Sequence, residues 1–465
     1  MTEINIVSFD LYIIQRKAIT LGVKFQLMDI IQQIVFIICA AAAVYLFWKK
    51  TASIRRNILL GRDEDLSDNK GRRWRNMLLL ALGQKKMFKK PVPALLHFAV
   101  YAGFIIINIE ILEIFLDGIF GQHRLFAPVL GNLYDWLIGF FEILAVLVLL
   151  ACVIFLIRRN ILKVKRLNQS ELNGWPKSDA NYILITEIIL MTLFLTMNSA
   201  DQILQTRLPD HYTHTNPFWI SSNFMPLFSG LGTETLMGVE RGCWWLHILG
   251  VFAFLNYLPY SKHFHVILAF PNAYFARLKP QGEFKNMPEI QQEVLYMMKP
   301  ELAPPVTGEQ HHNRFGAKDI QDLTWKNLLD AYSCTECGRC TASCPANMTG
   351  KKLSPRKIMM DTRDRMEEIG RYLDKNKTWQ DDGRSLLHNY ITVEELRACT
   401  SCQACVEVCP VTINPLDIII QLRRNLVMEE SNSPQEWNLM FGNIENNMAP
   451  WKFSPDDRDA WAVNG

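Results

Sequence analysis

Two cysteine runs carry the chemistry most plainly written in this chain. Cys334, Cys337, Cys340 and Cys344 precede Pro345, and Cys399, Cys402, Cys405 and Cys409 precede Pro410. Each run reads C-x2-C-x2-C-x3-C-P, the spacing that holds a pair of cubane 4Fe-4S clusters. A cubane needs four thiolates converging on a compact body, and three cysteines at this pitch can wrap one side of it without straining the backbone. In this pattern the last cysteine of the opposite run supplies the fourth corner, and the proline after it turns the chain away. One cluster is therefore assigned to Cys334, Cys337, Cys340 and Cys409, and the other to Cys399, Cys402, Cys405 and Cys344. Two plainer uses compete. Structural zinc draws as a rule on two separate C-x2-C knuckles rather than on three cysteines in one run. Disulfides need an oxidising compartment, whereas the topology read below places these residues in the cytoplasm.

A second group of candidates lies in apolar sequence. His247 and His265 are 18 residues apart, five turns of an ideal helix, so both would face the same way about 27 Å apart. His97 opens an earlier apolar stretch and His265 closes a later one, which lets the two meet at one depth. Two neutral imidazoles from different helices could clamp a b-type haem there. A lone histidine at a membrane surface is as readily an interfacial polar residue, and spacing by itself leaves both readings open. His263 points almost opposite to His247 on an ideal helix and is expected to face lipid headgroups. His123, His211, His214, His311, His312 and His388 read as surface residues, with one outer-loop histidine held in reserve as a partner for His247. Carboxylates within apolar sequence are costly and mark functional sites. Glu110, Glu113, Glu142 and Glu187 are such residues, and the first three are the candidate proton relay for a quinone. Their plainer use is hydrogen bonding within the bundle. Cys39, Cys152 and Cys243 read as small packing residues.

The elements that must position these groups follow from the hydropathy pattern. Of 465 residues 49% are hydrophobic and 20% charged, but nearly all long apolar runs lie before residue 271 and eight of the eleven cysteines after residue 333. The chain divides into a membrane half and a soluble redox half. Five spans suit the ~20 residues a bilayer requires, at about 30–48, 93–116, 136–157, 182–198 and 243–270, the last bent at Pro259. Lipid offers the backbone no outside partner, so the bundle is helical. The segment 49–90 carries thirteen Lys and Arg and the segment 158–181 six, against Arg124 alone in one intervening loop and Arg207 and Arg241 in the other. The positive-inside rule then puts the amino terminus outside the cytoplasmic (inner) membrane and everything after the fifth span inside. No cleavable signal peptide is expected, because residues 1–27 lack a continuous apolar core behind a basic start. A net charge of +3, with the basic residues flanking apolar runs, is too small to suggest a nucleic-acid partner, and none is expected.

The expected fold class is thus all-α: a five-helix transmembrane bundle followed by a cytoplasmic, α-helical, two-cluster ferredoxin domain. The boundaries are an N-terminal segment 1–27, a membrane domain 28–275, a linker 276–325 broken by Pro300, Pro304 and Pro305, a cluster domain 326–430 and a polar tail 431–465. Within the cluster domain, helices are expected at Trp325 to Tyr332 and Ile413 to Met428. Met359, Met360 and Met366 stand at helical spacing in an insert between the two runs.

The membrane half resembles the respiratory nitrate reductase gamma subunit, with His97 early in the second span and His247 and His265 in a run ending Pro259-Tyr260-Ser261-Lys262-His263-Phe264-His265. The soluble half is similar to the iron-sulfur part of heterodisulfide-reductase-like proteins, in Cys334-Thr335-Glu336-Cys337-Gly338-Arg339-Cys340 and Ala398-Cys399-Thr400-Ser401-Cys402. The fused arrangement, over about residues 28–430, is similar to the membrane-bound electron-transfer-flavoprotein:quinone oxidoreductases of bacteria. That resemblance implies an inner-leaflet haem b on His97 and His265. The gamma subunit's further histidine in the second span is replaced by Ile107, so a second haem on His247 would need an unassigned ligand. Fused relatives continue into a cysteine-rich domain with C-C-G motifs. None precedes Gly465, and the resemblance implies a separate iron-sulfur partner subunit.

The function expected from these residues is quinone-linked electron transfer. A soluble donor such as electron-transfer flavoprotein would deliver electrons through two 4Fe-4S clusters and haem b to the quinone pool. Two other functions remain open: a quinol-oxidising subunit driving reduction of a disulfide or sulfur compound, and a non-enzymatic redox sensor. No G-x-G-x-x-G fingerprint is present, since Gly230-Leu231-Gly232 lacks the third glycine, so a nicotinamide or flavin site within the chain is not expected.

Overall fold

The computed structural model describes residues 4–304, 314–452, 454–457 and 459–463, with side chains from residue 30 onward except those of 289 and 455. His311 and His312 lie outside the described residues. The chain forms two compact units. One comprises the sequence up to Ile54 together with Gln84–Val266; the other comprises Arg55–Gly83 and everything from Ile267 onward.

The described residues are helical, with isolated bridges at Arg62 and Thr324 and at Leu387 and Ile391 in place of strands. Five helices are long and apolar enough to cross a membrane. They are α1 (Ile4–Ile58), α2 (Pro91–Phe120), α3 (Asn132–Leu156), α4 (Trp175–Arg207) and α5 (Thr233–Tyr257). Each runs past the apolar stretch that reveals it, because polar flanks such as Asn132 to Asp135 and Asp201 to Arg207 continue the same backbone hydrogen bonding. The N-terminal segment is part of α1 from Ile4 on. Prolines at the first turn of α2 and α4 sit where no helical N–H partner is lost. The bundle core is built from Phe36, Phe141, Leu144, Val148, Phe194 and Trp244, while Ile30, Ile34, Ile37 and Ile38 on α1 are exposed, as lipid-facing residues are. Gly103 lets α2 approach α3, since a Cβ there would overlap Val148.

The fifth span departs from expectation. Pro259 does more than bend it: α5 stops at Tyr257, a tight turn occupies Leu258–Tyr260, and a second one at Lys262–Phe264 leads into α6 (His265–Tyr274). Ser261 is extended and its Oγ accepts the His263 N–H at 3.1 Å, capping the restart. Ideal-helix geometry between His247 and His265 therefore does not apply.

In the second unit, α7 (Trp325–Tyr332), α8 (Pro355–Asn376) and α9 (Pro415–Met428) surround the cysteine runs. Ser354 caps α8 by accepting the Lys357 N–H at 3.3 Å, and the apolar face of α8 buries Ile358, Met359, Met360, Met366 and Ile369. Part of the expected linker is integral to this unit: Ala317 N–H donates to Gln421 O at 3.0 Å and Leu387 N–H to Lys318 O at 3.0 Å. So is part of the first basic loop, where Arg62 N–H donates to Leu323 O at 2.7 Å. The tail forms α10 (Gln435–Asn447), with Trp437, Phe441 and Ile444 exposed.

Arg365 on α8 is fully buried. It reaches both oxygens of Asp319 (3.1 and 2.7 Å), both of Asp382 (2.7 and 2.9 Å) and Arg384 O (2.7 Å). Removing one partner from such a network strands the others without compensation. Arg365→Met is accordingly expected to destabilise this unit by about 3–5 kcal/mol. Urea denaturation of the solubilised chain, followed by visible absorbance, checks it; an unchanged midpoint would mean the ion pairs are dispensable.

Candidate iron-sulfur and imidazole sites

The two cysteine runs have matching backbones. Glu336 and Gly338 flank Cys337 with φ of 55° and 71°, and Ser401 and Gln403 flank Cys402 with φ of 59° and 62°. Left-handed residues on both sides of the middle cysteine curl each run so that backbone N–H groups turn toward sulfur. Ser401 N–H points at Cys399 Sγ (3.4 Å) and Ile413 N–H at Cys409 Sγ (3.3 Å), contacts of the kind that tune cluster potentials. Only Gly338 takes this conformation without a side-chain penalty. Downstream, the Val411–Asn414 loop is held by buried polar groups. Asn272 donates to Val411 O at 2.8 Å, Lys326 bridges Asn272 and Asp330 at 3.0 and 2.6 Å, and Asn414 N–H donates to Asp330 at 3.3 Å.

Packing crosses between the runs. Cys334, Cys337, Cys340 and Cys409 line one cavity, and Cys405 lines it too. The thiols felt most by Cys409 are Cys337 and Cys334, whereas those felt by Cys405 are Cys399, Cys344 and Cys402. Burial pushes the Cys334 thiol up to about 11 and those of Cys405 and Cys409 up to about 12, with neighbouring thiolates adding to the shift. Thiols packed this way ionise only against a compensating cation, so the donor set fits an iron-sulfur core. Among the described residues no three His, Cys, Asp or Glu side chains converge on a single-ion position.

In the bundle unit, His97 and His265 come together with ring centroids 6.5 Å apart. With metal–nitrogen bonds of about 2 Å, one iron held between two imidazoles would put their centroids about 6 Å apart. Each ring is oriented from behind: His97 Nδ1 faces Gln84 Oε1 at 3.1 Å and His265 Nδ1 faces Lys262 O at 3.1 Å. Both acceptors are carbonyl oxygens, which favours the tautomer with the proton on Nδ1, the one in which Nε2 is the metal-binding nitrogen. His247 is oriented in the same way, its Nδ1 on Leu190 O at 3.1 Å, but the ring beside it is that of Phe194. Of the outer-loop histidines held in reserve for His247, His123 is engaged elsewhere, its Nε2 pairing with Asp201 at 2.9 Å, and it is half-buried. His211, His214 and His388 are exposed, as expected. His263 is not a headgroup-facing residue: the break after Tyr257 turns it to within 5.6 Å of His265.

The break is held by a residue that sequence reasoning missed. Asp179 on α4 accepts from Tyr257 OH (2.5 Å), Ser261 Oγ (2.6 Å) and Lys262 N–H (3.2 Å). It lies just outside the expected fourth span; α4 begins about two turns earlier and buries it. Gln84, buried in a left-handed conformation (φ 48°), gives no sequence signal either.

The expected relay carboxylates separate into two kinds. Glu113 accepts from Phe126 N–H (2.8 Å) and Tyr134 OH (2.9 Å), and Glu142 from Asn198 (3.1 Å), Ile220 N–H (2.8 Å) and Ser221 N–H (3.1 Å). Both fasten loops to the bundle and have their oxygens filled. Arg124 ties the same end together through Asp201, Tyr134 and Asn198, at 2.9, 2.9 and 3.0 Å. Glu110 is different, for its Oε2 is buried with no hydrogen-bond partner.

Residues 333–413 match the family described as 4Fe-4S dicluster domain. Over 458 residues the chain is 29% identical to the probable iron-sulfur-binding oxidoreductase FadF of Bacillus subtilis, covering 92% of this chain and 60% of the relative. It is 26% identical over 455 residues to the EtfAB:quinone oxidoreductase of Syntrophomonas wolfei, covering 92% and 58%. Over 114 residues it is 36% identical to one component of the ferredoxin/F420H2-dependent CoB-CoM heterodisulfide reductase of Methanosarcina acetivorans, covering 24% and 56%. The chain thus spans about 60% of the length of the first two relatives. No solved structure matches. What these findings and the geometry establish together is an iron-sulfur membrane protein, with five apolar helices followed by a helical region that carries a 4Fe-4S dicluster domain.

Proposed function

We propose that this protein is an oxidoreductase subunit that passes electrons between a soluble cytoplasmic donor and the membrane quinone pool. Cys334, Cys337, Cys340 and Cys409 would hold one 4Fe-4S cluster, Cys399, Cys402, Cys405 and Cys344 the other, and His97 and His265 a b-type haem. Bound there, these groups would exchange electrons singly, splitting the output of a two-electron donor. The observation that carries the proposal is the His97 and His265 pair, because two imidazoles 6.5 Å apart, each oriented through Nδ1, would add a membrane-embedded acceptor to a cluster protein. The residues themselves provide orientation: Gln84 and Lys262 O fix the two imidazoles, and Asp179 fixes the turn that brings His265 round.

The donor proposed is electron-transfer flavoprotein, on the name of the Syntrophomonas relative, reached through a cysteine-rich C-C-G iron-sulfur subunit. The match to a heterodisulfide reductase component supports an iron-sulfur partner and also favours a second reading, in which quinol is oxidised and a disulfide is reduced. The thirteen basic residues of the segment 49–90 support a cytoplasmic position for the cluster domain and an outside amino terminus.

An optical and EPR redox titration of the purified chain tests the proposal. Two cluster signals, a reduced b-type haem spectrum and reduction of an added quinone analogue by the pre-reduced protein are expected. A colourless protein containing zinc and no porphyrin would end it.

A further inference from the structure

The end of the bundle away from His97 contains a small polar cavity. Glu110 lies 13 residues beyond His97 on α2, about 20 Å along the helix, and lines this cavity with Asp117, Arg124 and Trp244. Its volume is about 30 Å3. That is room for about two waters.

Every other carboxylate facing this space has a partner. Asp117 accepts from the N–H groups of Arg124 and Leu125 at 3.0 Å each, Asp201 pairs with Arg124 and His123, and Glu240 pairs with Arg241 and accepts from Tyr212 OH. Glu113 on the same helix and Glu142 on α3 are filled as described above. Glu110 is 97% buried with an Oε2 that no protein group satisfies, whereas Asp201 Oδ1, which also lacks a hydrogen bond, is ion-paired with His123. A buried polar atom in that position is satisfied by ordered water where the site is polar and large enough, and this one is both.

We propose that the cavity holds ordered water and that Glu110 is a proton-exchange group, giving its proton to that water and regaining it from the aqueous phase at this end of the bundle. In the step the carboxyl O–H bond breaks as a water O–H bond forms, and no electron moves. The charges that bias it come from every side: Arg124 and His123 in the loop after α2, Glu113 and Asp117 on α2, Glu142 on α3, Asp201 on α4, and Glu240 and Arg241 on α5. This deepens the proposed function, on which it rests only for the use made of the protons, since quinone reduction consumes two of them.

Infrared difference spectra of the full chain in a lipid film, stepped in pH with the protein oxidised throughout, test the proposal. A carboxylic-acid carbonyl band should fall as pH rises and shift within the mixing time when D2O replaces H2O. Glu110→Gln should abolish that band, Glu110→Asp should displace it, and Glu187→Gln, which alters another buried carboxylate of the bundle, should retain it. Absence of any D2O-sensitive carboxyl band from the unaltered protein, or its persistence in Glu110→Gln, overturns the proposal. The readout needs neither donor nor quinone, so a protein inert toward quinone could still show the band, and one that reduces quinone could lack it.

Discussion

Replacing Cys409 with serine is expected to remove about half of the bound iron and one of two cluster EPR signals, leaving the other signal unchanged. The reason is the crossing of the runs. Cys409 stands last in the second run, yet it lines the cavity made by Cys334, Cys337 and Cys340, and the thiols acting on it are Cys337 and Cys334. Cys344, the last of the first run, is a neighbour of Cys399 and Cys405. Double variants make the test sharp. Cys334→Ser with Cys409→Ser removes two ligands of one cluster, so it should cost little more iron than either change alone. Cys334→Ser with Cys344→Ser strikes both clusters and should remove nearly all of it. Non-additivity of this kind is the signature of residues that act as one unit. If each run instead held its own cluster, the two double variants would exchange outcomes, and iron analysis of purified protein decides between them.

Some of this protein is legible in its residues and some is not, for physical reasons. Cluster ligands are legible because iron needs thiolates at fixed spacing, and spans are legible because lipid tolerates only apolar helix surface. The ends of the spans are not: Asp179 and Asp201 lie beyond the apolar stretch of α4 but inside the helix, where they accept the bonds that fix Ser261 and Arg124. Periodicity also fails at Pro259, since ideal-helix arithmetic assumes unbroken hydrogen bonding. The error falls on His263, which is expected to face headgroups and instead stands beside His265. The first basic loop shows only its charge in sequence, although Arg62 bonds into the cluster unit through its backbone, which no side-chain pattern reports. Glu113, Glu142 and Glu110 look alike in sequence, and only the filling of their oxygens by loop N–H groups separates the first two from the third.

The histidines should divide as their neighbours do. His97→Ala and His265→Ala are each expected to abolish the haem absorbance of the purified chain while leaving cluster signals intact, because each would remove one of the two imidazoles proposed to hold the haem. His247→Ala should retain it, since the ring beside His247 is that of Phe194. Gln84→Leu keeps both ligands but deletes the acceptor behind His97 Nδ1. Loss of such an outer partner typically weakens metal affinity about 10–100-fold, and a less electron-rich imidazole stabilises ferric iron less. Gln84→Leu should therefore bind haem more weakly and shift its midpoint potential in the positive direction. Asp179→Asn, which keeps one oxygen acceptor for Tyr257 and Ser261, should lower haem occupancy less than His265→Ala does. A purely structural role for Gln84 predicts less haem at an unchanged potential, so the titration separates orientation from packing. Full haem retention in His97→Ala would transfer the ligand role to His263, which the break after Tyr257 has already brought beside His265.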